Sequence, residues 1–342
     1  MANRDGNGWT TCERGHRHWG RYGAAGLLAF APCPRGVPGS GPPAPDAPVC
    51  VLLQRRSWWG NHGGRWGPPG GARDSHESAV AAALREAEEE CALPADAVRA
   101  LGILRDDHGG WSYQTVIASA PRTLRVRAVS SETSQAAWVP VGEVAPLELH
   151  PGFAAQWPVL RETLQPLTII VDGANVMGSR PDGWWRDRAG AARRLRDQLA
   201  ALAAEGVAAL PEAVAAPGLE RWFPEIVLVV EGAARAAAAS HAAGPPAGPA
   251  PAGRQDGPEG GVVPGGGVPG GGVPGGVVPG GGVPGGGVRV VAAPGSGDDT
   301  IAELAAGVAG RRLVVTADRQ LRQRCVAAGA SVTGPGWLLG LL

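Results

Sequence analysis

Between Trp66 and Leu93 the chain reads WGPPGGARDSHESAVAAALREAEEECAL, and three of its acids, Glu86, Glu89 and Glu90, have the spacing of one helical face. At roughly 100° per residue, Val80, Leu84, Ala87 and Cys91 make an apolar stripe, and the three carboxylates project together from an arc of about 100° beside it. Acids clustered on an exposed helix repel by only about 0.2–0.5 kcal/mol per pair, so clustering alone fits a solvated face. The neighbourhood adds to it. Gly70 and Gly71 make a turn that brings backbone carbonyls beside the helix start, and Arg85 stands among the acids as an internal counter-charge. Hard oxygen ligands from a helix and an adjoining loop suit a divalent cation of the magnesium kind.

The spacing G, five residues, E, seven residues, REUxEExGU, with U aliphatic, resembles the box of the Nudix hydrolases; Gly71, Glu77, Arg85, Glu86, Ala87, Glu89, Glu90 and Leu93 match it. The resemblance runs over about residues 15–165 and takes in the WVPVGEV segment. It implies an α/β/α sandwich in which Glu86, Glu89 and Glu90, with the Gly71 carbonyl, hold Mg2+ or Mn2+, while Arg85 pairs with Glu77 and orients the glutamates. The implied reaction is hydrolysis of a phosphoanhydride bond in a nucleotide or nucleoside diphosphate derivative, with a metal-bound water attacking phosphorus. Glu89 and Glu132 are the candidate general bases. Ala92 departs from the pattern: it stands where a glycine closes the helix in a left-handed turn, which costs about 1 kcal/mol and removes no ligand. His16, His18, Trp19, Arg21, Tyr22, Trp111 and Tyr113 are the aromatic and basic candidates for substrate contact, against the commoner reading of strand aromatics as core.

In the second half, acids recur at the ends of strand-like runs. Asp172 follows TIIV, Glu231 follows EIVLVV, Asp298 and Asp299 follow VRVVAAPGSG, and Asp318 follows RLVVTA. The carboxyl edge of an open parallel sheet is where ligands bind. Each acid alone reads as a turn or helix cap. Jointly they repel unless a cation is shared. The segments VDGANVMGSR, VEGAAR, GSGDDTIAEL and VVTADRQLRQR resemble the NYN family of PIN-like ribonucleases over residues 167–342. That resemblance implies Mg2+ or Mn2+ held by Asp172, Glu231, Asp298, Asp299 and Asp318, with Asn175 near the scissile phosphate and RNA as partner. Arg319, with Arg180, Arg186, Arg188 and Arg322 near the same edge, is a candidate for contact with RNA phosphates, against the commoner reading of a solvated helix arginine. Glu231 stands where many relatives carry Asp.

These residues need elements to position them. Short apolar runs at 24–31, 49–54, 112–118 and 136–141 predict strands, 77–91 predicts a helix, and 147–164 a closing helix. From Leu167 strand and helix alternate, which predicts a parallel sheet covered by helices. The alternation is interrupted at 243–287 by a V-P-G-G-G repeat that cannot bury a core and is expected to be disordered. Its length is tolerable because closure entropy grows only logarithmically. The expected architecture is therefore α/β throughout: a Nudix sandwich at 15–165, then a PIN-like parallel-sheet domain at 167–342 carrying the insertion.

Bulk composition narrows the partners. The chain has 31 basic residues, all of them Arg, and 31 acidic ones in 342, so no global field draws it to nucleic acid or membrane, and RNA contact must be local. Five cysteines, odd in number and without a C-x-x-C, predict no disulfide framework and fit a reducing cytoplasm. Cys12 with His16 and His18 lacks a fourth ligand at a metal-site spacing and reads as ordinary chain. No apolar stretch is long enough to span a bilayer. The rival to an enzyme is a non-catalytic protein that senses a nucleotide with one fold and binds RNA with the other; an intact set of box glutamates argues against it.

Overall fold

The computed structural model describes residues 4–34, 48–59, 62–216, 218–239 and 287–342. The first part of the chain forms strands β1 (Trp9–Thr11), β2 (Arg17–Trp19), β3 (Ala24–Pro32), β4 (Val49–Arg56), β5 (Trp66–Gly67) and β6 (Gly70–Ala72), then helix α1 (Ala79–Cys91). Strands β7 (Arg99–Asp107), β8 (Ser112–Ser119) and β9 (Thr133–Pro140) follow, with helices α2 (Val141–Val144) and α3 (Pro151–Leu160). The central strand β3 is buried along nearly its whole length, which is why it reads as a continuous apolar run. Its residues alternate between two cores. Ala25, Leu27, Ala29 and Ala31 pack with α1, while Leu28 and Phe30 pack with Phe153, Trp157 and Leu160 of α3. A mixed sheet covered on both faces results, as the α/β/α reading anticipates.

Helix α1 is shorter than the predicted 77–91. The hydroxyl of Ser78 accepts from the Ala81 N–H at 3.1 Å and caps the helix, leaving Glu77 outside it. At the far end Ala92 has φ 55° and ψ 34°, and the closing N–H groups of Ala92 and Leu93 donate to the carbonyls of Glu88 and Ala87. The left-handed cap is formed without its usual glycine. The closing helix is also shorter than 147–164, because Pro151 opens α3 at its first turn and His150 caps it.

The second part contains β10 (Leu167–Asp172), α4 (Gly173–Gly178), α5 (Arg188–Glu205), β11 (Leu219–Trp222), β12 (Glu225–Val230) and α6 (Ala236–Ala239). After the undescribed segment come β13 (Val288–Ala292), α7 (Gly297–Gly307), β14 (Arg311–Val315), α8 (Arg319–Ala327), β15 (Ser331–Thr333) and α9 (Pro335–Leu339). Strands β13, β12, β10, β14 and β15 lie in that order, all parallel. Helix α5 covers one face through Leu195 and Leu199, and α7 and α8 cover the other through Ile301 and Leu321. The parallel sheet expected from strand–helix alternation is present. The repeat lies outside the described residues up to Gly287.

Two features depart from the sequence reading. The expected absence of disulfides is corrected by a bond between Cys33 and Cys50, whose Cα atoms are 5.0 Å apart. Antiparallel pairing of β3 with β4 sets Ala31 opposite Cys50, and the Cys33 N–H donates to the Pro48 carbonyl, so two cysteines distant in sequence meet at the strand ends. The second departure crosses the expected division at residues 165–167. Strand β11 leaves the parallel sheet and pairs antiparallel with the edge strand β7 of the first sheet. Leu219 opposes Leu104 and Trp222 opposes Gly102, while Phe223 is buried in the α1 core.

Because Ala92 holds a conformation that disfavours a Cβ, Ala92→Gly is expected to stabilise the protein by about 1 kcal/mol. Urea unfolding of the two proteins checks it, and an unchanged midpoint would refute the strained cap.

Candidate functional site

The predicted acids gather around one guanidinium. Since Ser78 takes over the cap, the Glu77 carboxylate is available to Arg85, which donates to it from Nε at 2.7 Å and from Nη2 at 2.9 Å. Arg85 also donates to Glu86 at 2.6 Å, to Glu89 at 3.4 Å and to the Ala72 carbonyl at 3.0 Å. This two-pronged pairing suits the planar fork of arginine and could not be copied by a point charge. It holds the Glu77 carboxyl below its ordinary range. Glu89, the most exposed of the box acids, also accepts from Arg4.

Glu90 is turned toward the sheet. Its carboxylate accepts from the Gly70 N–H at 2.7 Å and from the Gln54 side chain at 2.7 Å, and the Gln54 amide oxygen accepts in turn from the Thr133 hydroxyl. Burial, reinforced by the neighbouring charge of Glu86, pushes the Glu90 carboxyl up to about 8. Burial raises Glu86 as well, against the pull of Arg85. A Cβ at Gly71 would stand 2.7 Å from the Glu86 carboxylate, so a larger residue there would displace that side chain. Two desolvated acids that resist ionisation beside an exposed third are the donor set a hard divalent cation would satisfy, with Gly71 next to them. Glu132 is not brought to this cluster; it is exposed in the turn before β9, where its backbone carbonyl accepts from Ser57.

A cavity of about 270 Å³ opens beside Glu90's partners Gln54 and Gly70. Of the aromatic candidates, His18, Trp111 and Tyr113 line it, whereas Trp19 and Tyr22 are exposed. Trp111 stacks on His18 with ring centroids 4.0 Å apart and donates from its indole N–H to the Gly20 carbonyl. Sequence reasoning missed Gln54, Arg56, Asp106, His150 and Gln156 in the lining. Gln54 left a faint signal, a lone amide in the apolar run VCVLLQ. The others come from separate strands and α3, and nothing in their local sequence marks them. Gln156 donates to Asp106 at 3.1 Å, and burial beside His62 and nearby arginines holds His150 neutral, lowered to about 4.

At the second sheet the crevice lies where the strand order reverses, between β10 and β14, since β12 and β13 are added on one side of β10 and β14 and β15 on the other. Asp172 caps α4, accepting from the Asn175 N–H at 3.0 Å, and accepts again from the Asn175 side chain at 2.6 Å and the Thr316 hydroxyl at 2.8 Å. Asp318 caps α8 through the Leu321 N–H, and Glu231 accepts from the Gly297 N–H at 2.8 Å. Burial, together with the charges of Asp172, Asp318 and Glu231, raises the Asp298 carboxyl, so these four acids share one field. Asp299 points away into an ion pair with Arg324 at 2.7 Å. Arg319 is exposed at the start of α8.

Comparison with known proteins assigns the first half. The model of the NUDIX domain matches residues 44–162. A putative 8-oxo-dGTP diphosphatase 3 of Mycobacterium tuberculosis is 45% identical over 163 residues, 46% of this chain and 70% of that protein. A nucleoside triphosphate pyrophosphatase/Nudix hydrolase fusion protein of Bifidobacterium longum is 35% identical over 47% of this chain and 32% of its own length. The crystal structure of RenU, a Nudix hydrolase from M. smegmatis, is 43% identical and is covered over 94% of its length and 46% of this chain, with a TM-score of 0.41. The chain belongs to the Nudix hydrolase family. Among the described residues, no helix is long and apolar enough to cross a membrane.

The raised Glu90 carboxyl has a definite sign. A carboxyl whose folded value lies above its unfolded value of 4.5 favours folding most at low pH, and that contribution is lost as pH rises through about 8. In EDTA, stability is therefore expected to fall between pH 5 and pH 8.5, and Glu90→Gln to flatten the fall. Thermal unfolding across that range, with and without Mg2+, measures it; equal slopes for the two proteins would refute the assignment.

Proposed function

We propose that the N-terminal half is a divalent-cation-dependent pyrophosphohydrolase of nucleotides. The observation that carries this is the Arg85-centred carboxylate cluster opening, through Glu90, Gln54 and Gly70, onto a cavity walled by a stacked imidazole and indole. In this reading Glu86, Glu89, Glu90 and the Gly71 carbonyl hold Mg2+, with Mn2+ as substitute. Arg85 and Glu77 keep the glutamates aimed. The cation, when bound, polarises phosphoryl oxygens and lowers the pKa of a bound water. Glu89, the least buried of the three metal-binding glutamates, is the candidate general base in this reading. His18 and Trp111 offer flat faces to a base, and Asp106 and Gln156 offer a carboxylate and an amide to its edge. The resemblance to a putative 8-oxo-dGTP diphosphatase makes an oxidised purine nucleoside triphosphate the first substrate to test.

Glu86→Gln is expected to lower turnover by more than about 100-fold, beyond what loss of an outer-sphere partner of a metal costs. Phosphate or pyrophosphate release from 8-oxo-dGTP, nucleotide sugars and dinucleoside polyphosphates reads it. Undiminished turnover in the variant removes the assignment, and binding without turnover by the wild type would support a sensor instead.

For the C-terminal half we propose a PIN-like, cation-dependent ribonuclease centred on Asp172, Asp298, Asp318 and Glu231, with Asn175 beside the scissile phosphate and Arg319 at the RNA backbone. The shared field of the four acids at the sheet's switch point supports it, and the outward ion pair of Asp299 gives that residue a supporting place at most. Asp298→Asn is expected to abolish Mg2+- or Mn2+-dependent cutting of labelled single-stranded RNA while retaining binding. Cutting that survives in the variant, or a wild type that leaves RNA intact with either metal, would refute this reading.

A further inference from the structure

A second metal site lies outside the glutamate cluster. Cys12 and His16 face each other across the turn that joins β1 and β2, where the Cys12 N–H donates to the His16 carbonyl at 3.0 Å. His18 is two residues further along β2, and side chains two apart on a strand share a face. The sequence supplies no fourth ligand nearby. The fold supplies it from 90 residues away: His108, in the turn between β7 and β8, is carried to the hairpin by a bond from the Glu13 N–H to the Gly109 carbonyl at 2.9 Å and by Arg14 donating to the Asp107 carbonyl at 2.6 Å. One ligand atom from each of Cys12, His16, His18 and His108 lies within 4.8 Å of all the others.

We propose that these four side chains form a structural zinc site. Tetrahedral zinc with bonds of about 2.0–2.3 Å separates its ligand atoms by roughly 3.3–3.8 Å, so small side-chain adjustments close the cluster. Two independent features point to a ligand. His18 Nε2 and His108 Nδ1 are both buried and have no hydrogen-bond partner, a costly condition that a shared cation relieves. The other nitrogen of His108, Nε2, stands 3.4 Å from the Asp106 carboxylate, the outer partner that commonly orients a ligating imidazole.

The donor set decides the metal. One sulfur and three imidazoles suit zinc and discriminate against Mg2+, which wants oxygen. Four protein ligands leave no open position, so the site is structural rather than hydrolytic. Cys12 binds as thiolate, releasing its thiol proton to solvent. The site would fasten the N-terminal hairpin to the β7–β8 turn. Because His18 stacks on Trp111 and both His18 and His108 line the cavity, it would also set one wall of the substrate pocket.

Metal analysis of the full chain tests the proposal. After growth with zinc and dialysis against zinc-free buffer containing Mg2+, the wild type is expected to retain stoichiometric zinc, and Cys12→Ser and His108→Ala to retain only traces. Co2+ added to the zinc-stripped wild type gives a reading that no variant's folding can confuse. A thiolate-to-cobalt charge-transfer band with the intense visible bands of tetrahedral Co2+ is expected. Cys12 is its source because, of the free cysteines among the described residues, it is the one that lies with other potential ligands, while Cys91 and Cys325 pack in apolar clusters. A wild type with only trace zinc and no such band, or full zinc retained by both variants, would overturn the site.

Discussion

The first half of the molecule depends on a single cation that the protein makes for itself. The Arg85 guanidinium touches Glu77, Glu86, Glu89 and the Ala72 carbonyl, and so ties the acidic face of α1 to strand β6. Without it the desolvated Glu86 would lose its nearest opposite charge, and breaking a buried pair on one side costs about 3–5 kcal/mol. Its position follows from the helix. The apolar stripe of α1 is pressed against Ala25, Leu27 and Ala29, which fixes the rotation of the helix and leaves the charged arc facing the glycine strand.

Glu90 extends this arrangement into the sheet. Its links to Gly70 and Gln54, and from Gln54 to Thr133, run a chain of polar contacts through β4, β6 and the start of β9. A buried network of this kind is stabilising only when its members are satisfied. The raised Glu90 carboxyl indicates that protein donors alone do not fully compensate it, and the cavity begins at these same residues.

The two sheets are joined more closely than a linker would join them. Strand β11 extends the first sheet, while Trp222 at its end packs in the core of the second. Glu220 accepts from Gln114 at 2.8 Å, and Arg311 of the second sheet donates to the Glu162 carbonyl at 2.9 Å. The edge of β7 is thereby covered, which removes an exposed row of backbone groups. The aromatic pocket and the parallel sheet meet through β7 and β8, the strands whose connecting turn also carries His108.

What the sequence alone determined was local and periodic. The helix with three acids on one face, its left-handed end at Ala92, and the strand–helix alternation after Leu167 are all legible because backbone geometry repeats at 3.6 or 2 residues. So was the position of acids at strand ends, and four of the five converge as a parallel sheet requires. Tertiary structure decided whatever depends on contact between distant segments. It paired Cys33 with Cys50, lent β11 to the other sheet, turned Asp299 out toward Arg324, assembled the cavity from β2, β4, β5, β6, β7, β8 and α3, and set His108 beside Cys12, His16 and His18. Side-chain spacing along a chain carries no information about which loop will fold against it, and that is why the fourth histidine was invisible until β7 and β8 were in place.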